Sequence, residues 1–224
     1  MRTASLLAFV AITLCAATAV AQSKWEVISR DSGVVVSKKD HPSLELPIIR
    51  GVSTLDEDFY DVLAVLRDTE HFADWMHNCK EARLLEAKDE FDLIVYNRVS
   101  TPWPLEDRDT VVRTRIKVDH AKKFVVIRFV NVTSRLQGEI NGVTRMPSLE
   151  GFYKIEKIGP GKTRVTYQAQ ADPGGLIPNW LVERDSRDIP KHTIASLRKR
   201  VRATRGSYKE FLKRWSPELG GQGF

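Results

Sequence analysis

The sequence predicts an α+β domain in which a curved antiparallel sheet of about nine strands is covered by one long C-terminal helix, with two short helices inserted after the second strand. Three observations predict this fold. Most of the chain alternates apolar and polar residues with the period of two that half-buried strands show. Helical apolar stripes replace that period near residue 60 and again near the C-terminus. The connections between the strands are short, which favours antiparallel neighbours.

Nine segments have the strand pattern. They are residues 33–39, 46–54, 82–88, 91–100, 108–118, 124–133, 140–147, 150–158 and 162–171. The segment 108–118 shows it most clearly, because Val112, Thr114 and Ile116 alternate with basic residues and leave one face apolar. A His41-Pro42 turn is expected to separate the first two strands.

Three segments have the helical period. The first short helix starts after Asp56, and the second is expected over about 69–77. The long helix follows a glycine turn at 172–175 and is expected to continue to about Arg214, with a kink at Pro190. Its apolar stripe consists of Ile177, Trp180, Leu181, Ile189, Ile194, Leu197 and Val201. Because no other long element remains, this helix is expected to cover the apolar face of the sheet.

Residues 1–21 have the composition of a cleavable signal peptide. Arg2 supplies a positive charge, residues 6–20 are almost wholly apolar, and Ala19-Val20-Ala21 has the small-x-small pattern of a signal peptidase site. An uncleaved membrane anchor is the alternative, but the apolar run is short for a spanning helix of about 20 residues. We therefore expect one periplasmic or secreted domain over residues 22–216.

Composition argues against several classes of protein. A net charge of +6 fits nucleic-acid binding, contact with an anionic membrane, or simple solubility. Export and the lack of any helix-turn-helix, zinc-finger or RNA-binding aromatic motif argue against nucleic acid. Only Cys79 remains once Cys15 is removed with the signal peptide, so the domain cannot form an internal disulfide. His71 and His77 lack the spacing of a metal site, and we expect no metal and no cofactor.

Two long motifs in the chain carry a resemblance to a known family. Residues 101–111, TPWPLEDRDTV, are similar to the Pro-Trp-Pro and Arg-Asp-x-Val segment of START domains. Residues 165–180 are similar to its last strand, glycine turn and helix entry, while Tyr60 and Trp75 stand where the family has aromatic residues on two short helices. The order and spacing of these features match over about residues 30–205.

This resemblance implies a helix-grip fold with one tunnel that holds a lipid or a sterol, for transfer or sensing and without catalysis. We also expect a monomer whose partner is a lipid or another hydrophobic small molecule. Some START domains carry an acid–arginine pair in the cavity, and the arginine position falls at Thr114 here. The candidate ligand-binding residues are Trp75, Tyr96, Trp103, Arg108, Thr114, Met146, Tyr167, Ile177, Trp180, Ile194 and Leu197.

Several of these candidates have a second interpretation. Trp103 either lines the cavity or fills the core, and Arg108 with Asp109 suits a structural ion pair or turn-locking hydrogen bonds better than ligand contact. Trp180 and Met146 suit core packing at least as well as ligand contact.

Two other functions stay open. The first is a polyketide cyclase or aromatase on the same scaffold, which would need an acid–base residue in the cavity, with His71, His77 or Asp107 as candidates. The second is a scaffold that binds a protein partner, which predicts an apolar surface patch and no tunnel.

The end of the chain suggests contact with a membrane. Arg198, Arg202, Lys209 and Lys213 form a positive stripe on the predicted last helix, and aromatic residues lie near its end. Such a helix could rest transiently on anionic lipid headgroups. Alternatively, the charges are simply solvated and the aromatic residues pack on the domain.

Overall fold

A computed structural model describes residues 24–40, 46–119 and 121–215. Ten strands lie in these ranges: β1 (Glu26–Asp31), β2 (Val34–Lys39), β3 (Ile48–Leu55), β4 (Cys79–Asp89), β5 (Asp92–Val99), β6 (Asp107–Asp119), β7 (Phe124–Asn131), β8 (Val143–Arg145), β9 (Ser148–Gly159) and β10 (Lys162–Asp172). The predicted fold class, a large antiparallel sheet with a long C-terminal helix, is confirmed. The predicted signal peptide and the His41-Pro42 turn lie outside the described residues.

The strands form one sheet in the order β1-β2-β3-β10-β9-β7-β6-β5-β4. All neighbours in this path are antiparallel, and the short β8 pairs in parallel with β6. Strand β1 was not predicted, and the two short helices consequently follow the third strand and not the second. This strand lies at the edge of the sheet with most of its residues exposed, so it carries no apolar alternation. It joins β2 through a turn at Ser32 and Gly33, which both have positive φ.

The helices are α1 (Phe59–Arg67), a 3₁₀ helix (Thr69–Asp74), α2 (Asn179–Ala203) and α3 (Lys209–Trp215). The predicted helix up to Arg214 is wrong in its length. Helix α2 ends at Ala203, and the chain turns at Gly206, whose φ of 79° suits glycine, before α3 begins. No described helix is long and apolar enough to cross a bilayer.

Helix α2 approaches β3 closely at Gly51. A Cβ atom added at Gly51 would lie 2.8 Å from Cβ of Pro190 and 3.1 Å from Cδ1 of Ile194. Glycine therefore allows the helix to approach the strand more closely than any side chain would permit. The next two turns, with Leu197 and Val201, are buried in the main core against the sheet and α1.

Polar contacts fix the same half of α2. Arg198 donates to Oγ of Ser53 at 2.9 Å, and the buried carboxylate of Glu57 accepts from Arg202 at 2.5 Å and Arg205 at 2.6 Å. The predicted positive stripe is therefore not a free basic face, since Arg198 and Arg202 bind the protein itself. The other two residues of the stripe, Lys209 and Lys213, lie on α3. Trp215 at the end of α3 is 6% exposed and packs on the core.

The variant Glu57→Gln keeps the shape of this side chain and removes its charge. Because a hydrogen bond to a charged group contributes about 1.5–3 kcal/mol, we expect a loss of that size in the free energy of unfolding, measured by urea denaturation. The control is Glu81→Gln, whose exposed pair with Arg83 should contribute less than about 1 kcal/mol. Equal losses in the two variants would contradict the clamping role of Glu57.

Candidate ligand-binding cavity

A cavity of about 300 Å³ lies between the inner face of the sheet and the N-terminal half of α2. The helix contributes Leu181, Val182, Asp185, Ser186, Ile189 and Thr193. The sheet contributes residues of β3, β5, β6, β7, β9 and β10, and the 3₁₀ helix and the loops at one end of the sheet close the sides. Most of the lining side chains are apolar. The cavity therefore borders the contact between α2 and Gly51 and extends from it along the N-terminal half of the helix.

The strand register arranges the sheet side of the cavity in rows. One row joins Ile116, Ile127, Tyr153 and Tyr167, and the next joins Leu93, Thr114 and Phe129. The third row contains Val95 and Val112, the fourth Asn97 and Thr110, and the fifth Val99 and Arg108. The middle rows are thus mainly apolar, and polar groups concentrate at the two ends. Tyr167 pairs with Gly51, so the first row lies at the end that α2 closes.

Arg108 holds the opposite end of the cavity together. Its guanidinium donates to the carbonyl oxygens of Glu106 at 2.6 Å, Gly174 at 3.2 Å and Pro173 at 3.4 Å. The side chain is 5% exposed and ties the β5–β6 loop to the β10–α2 loop. Turn-locking hydrogen bonds are therefore present at Arg108, while its neighbour Asp109 pairs with Arg145 at 2.6 Å.

Five of the predicted ligand-binding residues line the cavity: Arg108, Thr114, Met146, Tyr167 and Ile177. The other six do not line it: Trp75, Tyr96, Trp103, Trp180, Ile194 and Leu197. For the first five, contact with a ligand stays a prediction. For the other six, the placement corrects the sequence-based assignment, and the reasons differ between them.

Four of these six are buried elsewhere. Ile194 and Leu197 belong to the half of α2 that packs directly on the sheet. Tyr96 alternates with Val95 and Asn97, so it faces the outer side of the sheet, where it packs with Ile94 and Val111. Trp75 follows the 3₁₀ helix and packs edge-on against Phe72, with ring centroids 5.6 Å apart.

The remaining two tryptophans are exposed. Trp103 is 92% exposed on the β5–β6 loop, and Trp180 is 59% exposed at the start of α2. Pro102 and Pro104 restrict the backbone on both sides of Trp103, and the loop projects beyond the end of the sheet. Neither of the two roles expected for Trp103, lining the cavity or filling the core, is therefore observed.

The sequence did not reveal several other lining residues. Among them are Phe72, Asn97, Phe129, Tyr153 and Asp185. The period of two would have found three of them, since Asn97, Phe129 and Tyr153 share the inner face with residues already assigned to it. Asp185 lies on α2, and no motif marks it.

Potential acid–base groups are sparse in the cavity. Of the three candidates for catalysis, only His77 lines it. His71 lies at the surface bound to Asp68 at 2.7 Å, and Asp107 is held by Lys80 and Arg98 outside the cavity. The described part of the chain contains no group of three or more His, Cys, Asp or Glu residues that could hold a metal ion.

Comparison with known proteins gives concordant matches. The rat phosphatidylcholine transfer protein is 28% identical over 162 residues, covering 70% of this chain and 74% of that protein. An uncharacterized protein of Pseudomonas aeruginosa is 31% identical over 174 residues, covering 78% and 85%. The crystal structure of a STAR-related lipid transfer protein from Xanthomonas axonopodis superposes with a TM-score of 0.72 at 29% identity, covering 80% and 98%.

The START domain family model matches residues 12–204, which include both motifs identified in the sequence. Two of the three relatives are named for lipid transfer. The sheet, the covering helix and the cavity between them agree with that match. The chain belongs to the START domain family.

Proposed function

We propose that this chain is an exported protein that binds one hydrophobic ligand, a lipid or a sterol-like molecule, between its sheet and α2 and transfers it without catalysis. The carrying observation is the largely apolar cavity that begins at Gly51 and extends to the loops tied by Arg108. Its volume of about 300 Å³ lies at the lower end of the range for pockets that enclose drug-sized ligands. Export rests on the predicted signal peptide at residues 1–21.

The energetics of the cavity support a bound ligand. At about 24 cal/mol per Å³ of sealed empty space, a dry cavity of about 300 Å³ would cost at most roughly 7 kcal/mol. Whole domains are stable by roughly 5–15 kcal/mol, so an empty cavity would use a large part of the stability. An apolar ligand restores those contacts and removes its own surface from water, at about 25 cal/mol per Å².

The alternatives have less support. A cyclase or aromatase would need an acid–base group in the cavity, and His77 is the one candidate of the original three that lies there. A scaffold for a protein partner needs no cavity. The named relatives in the family are lipid transfer proteins, which favours binding and transfer over both alternatives.

An exposed apolar rim at the loop end of the cavity supports transfer to and from a membrane. Leu176 is 95% exposed beside Ile177, which lines the cavity. Trp103 is exposed on the β5–β6 loop, which Arg108 ties to the β10–α2 loop, and Trp180 is exposed at the start of α2. Soluble proteins expose such large apolar side chains together mainly where they bind something. We therefore place the membrane contact at this rim and not on the basic stripe expected from the sequence.

The connection between the 3₁₀ helix and β4 meets α2 along one side of the cavity. His77 of this connection stacks on His192 of α2, with ring centroids 4.8 Å apart and planes at 30°. Burial lowers the pKa of His77, and the neighbouring His192 and Arg184 lower it further, while Asp185 and Asp188 act in the opposite direction. Two charged imidazoles at this distance would repel each other, so the contact requires at least one neutral ring.

A bound ligand should purify with the protein and stabilise it. We expect native mass spectrometry or organic extraction to detect a lipid. Adding a matching lipid at about 100 times its dissociation constant should contribute about 2.7 kcal/mol. For a chain of this size, that corresponds to a rise of roughly 5–10 °C in Tm. Protein that carries no lipid and shows no thermal shift with any lipid class would contradict the proposed function.

The rim should govern transfer and leave affinity unchanged. Because burying a leucine side chain contributes about 1.5–3 kcal/mol, Leu176→Ala should slow lipid transfer between vesicles roughly tenfold, and Trp103→Ala should act similarly. Vesicles with and without anionic lipid would test for a contribution of charge. Ile158→Ala, an exposed site at the far end of β9, is the control. Equal transfer rates in all three variants would refute the rim as the membrane contact.

Acid should loosen the contact between His77 and His192. The pKa of His77 in the folded protein lies below the ordinary histidine value of about 6.5. Above pH 6.5 His77 is therefore neutral and the stacked contact is fully stabilising. This stabilisation is lost as the pH falls through the pKa of His77 in the folded protein. Dissociation of a fluorescent lipid, followed by stopped flow, should therefore accelerate between about pH 7 and pH 5. The acceleration should be smaller in His77→Gln.

The control for this experiment is His71→Gln. A hydrogen bond with Asp68 raises the pKa of His71, so its own contribution changes with pH in the opposite direction. The side chain lies outside the cavity, and its loss should leave the pH dependence of lipid release unchanged. If His77→Gln retained the full wild-type acceleration, the histidine contact would not control release.

A further inference from the structure

Two tyrosines lie side by side on the sheet face of the cavity. Tyr153 on β9 and Tyr167 on β10 are directly opposite each other, with ring centroids 4.9 Å apart. They are 6% and 9% exposed, and both line the cavity. Among the described residues, neither hydroxyl has a hydrogen-bond partner, although hydroxyls of buried tyrosines usually do.

Such hydroxyls are unfavourable unless something binds them. Neither oxygen is among the fully buried polar atoms without a partner, so each borders the cavity and takes its hydrogen bonds from whatever occupies it. Phenylalanine would fill the same space without that requirement, as Phe129 does beside the pair, with its ring centroid 6.4 Å from that of Tyr167. Outside the cavity, Tyr208 has a paired hydroxyl, which donates to Asp68 at 2.6 Å. The hydroxyls of the cavity pair have no such partner among the described residues, and they border space that a ligand can occupy.

The pair acts as hydrogen-bond donors. Burial raises the pKa of both phenols, and for Tyr153 the neighbouring Tyr167 raises it further. Both hydroxyls thus keep their protons at any physiological pH. Two donors side by side match one oxygen with two lone pairs, such as a carbonyl or carboxylate oxygen.

The pair also lies at a defined depth. Tyr167 pairs with Gly51, where α2 closes the cavity, whereas the rim lies at the other end. Ile116 in the tyrosine row lies six positions along β6 from Thr110 in the fourth row, which corresponds to about 20 Å. The rows between them are mainly apolar. A ligand with an oxygen acceptor at one end and a hydrocarbon chain behind it matches this order, in which the tyrosine hydroxyls come first and the apolar rows follow.

We propose that Tyr153 and Tyr167 determine ligand specificity by donating hydrogen bonds to a carbonyl or carboxylate oxygen that enters the closed end of the cavity first. The hydrocarbon part then lies along the rows of Phe129 and Val112 and points toward the rim. The ligand class is an acyl compound, either a free fatty acid or an acyl ester. This inference rests on the proposed function and goes beyond it, because lipid binding alone requires no acceptor at this position.

The test compares three probes of equal chain length: palmitic acid, methyl palmitate and hexadecane. We expect the wild-type protein to bind an oxygen-bearing probe at least tenfold more tightly than hexadecane, measured by displacement of a fluorescent ligand. Tyr153→Phe and Tyr167→Phe should each weaken binding of that probe several-fold and leave hexadecane unchanged. Preference for the acid over the ester identifies a free fatty acid, and equal binding of both identifies the carbonyl as the recognised group.

The unliganded variants provide a second readout. Removing an unpaired hydroxyl should leave the Tm of the lipid-free protein unchanged or raise it, whereas a structural hydroxyl would lower it. Tyr96→Phe is the matched control, because its buried hydroxyl also lacks a partner but faces the outer side of the sheet. This variant should bind all three probes as the wild type does. The carbonyl stretch of ¹³C-labelled methyl palmitate should shift to lower frequency on binding, and less so in the double Tyr→Phe variant.

The outcomes separate the two proposals. Equal binding of hexadecane and the oxygen-bearing probes would overturn the role of the tyrosines and leave lipid binding intact. A loss of Tm in the lipid-free Tyr→Phe variants would likewise assign the hydroxyls to the fold. If none of the probes bound and no lipid purified with the protein, the proposed function and this inference would both be wrong.

Discussion

The architecture depends on the close contact between α2 and Gly51. From this contact toward its C-terminus, α2 packs on the core, where Leu197 and Val201 are buried. Toward its N-terminus, residues between Leu181 and Ile189 line the cavity instead. A side chain at position 51 would meet Pro190 and Ile194 and would push the helix away from the strand. The glycine thus lies at the boundary between the packed part of α2 and the part that lines the cavity.

The two ends of the cavity are stabilised differently, and this favours one route for a ligand. The closed end combines the Gly51 contact with the buried Glu57 clamp, and Leu197 and Val201 are fully buried beside it. The other end is held by the hydrogen bonds of Arg108 to loop carbonyls. Loops with few apolar contacts open at lower free energy than a packed core. A ligand that enters by local opening would thus pass the rim first. Its leading, oxygen-bearing end would then travel the length of the cavity before it reaches the tyrosines.

Much of the fold could be predicted because a strand or helix that is buried on one face must repeat its apolar residues with the period of that element. Nine strands were predicted close to their observed positions for this reason. The first strand could not be found, since residues 26–31 are largely exposed and nothing imposes alternation on them. The end of α2 was missed for the opposite reason. Phe211 and Leu212 of α3 continue an apolar pattern across the turn at Gly206, so the sequence resembles one longer helix.

The site was harder to predict than the fold, and α2 shows why. Val182 and Leu197 both face the protein interior, yet the first lines the cavity and the second is buried in the core. Hydrophobic periodicity reports which face points inward and contains no information on what lies opposite. That is decided by the contact at Gly51, a residue that the sequence does not mark as special among thirteen glycines. For Trp103 the prediction of a buried side chain rested on its size and aromatic character, and it was wrong, since the side chain is exposed. A large apolar side chain suits an exposed binding rim as well as a core.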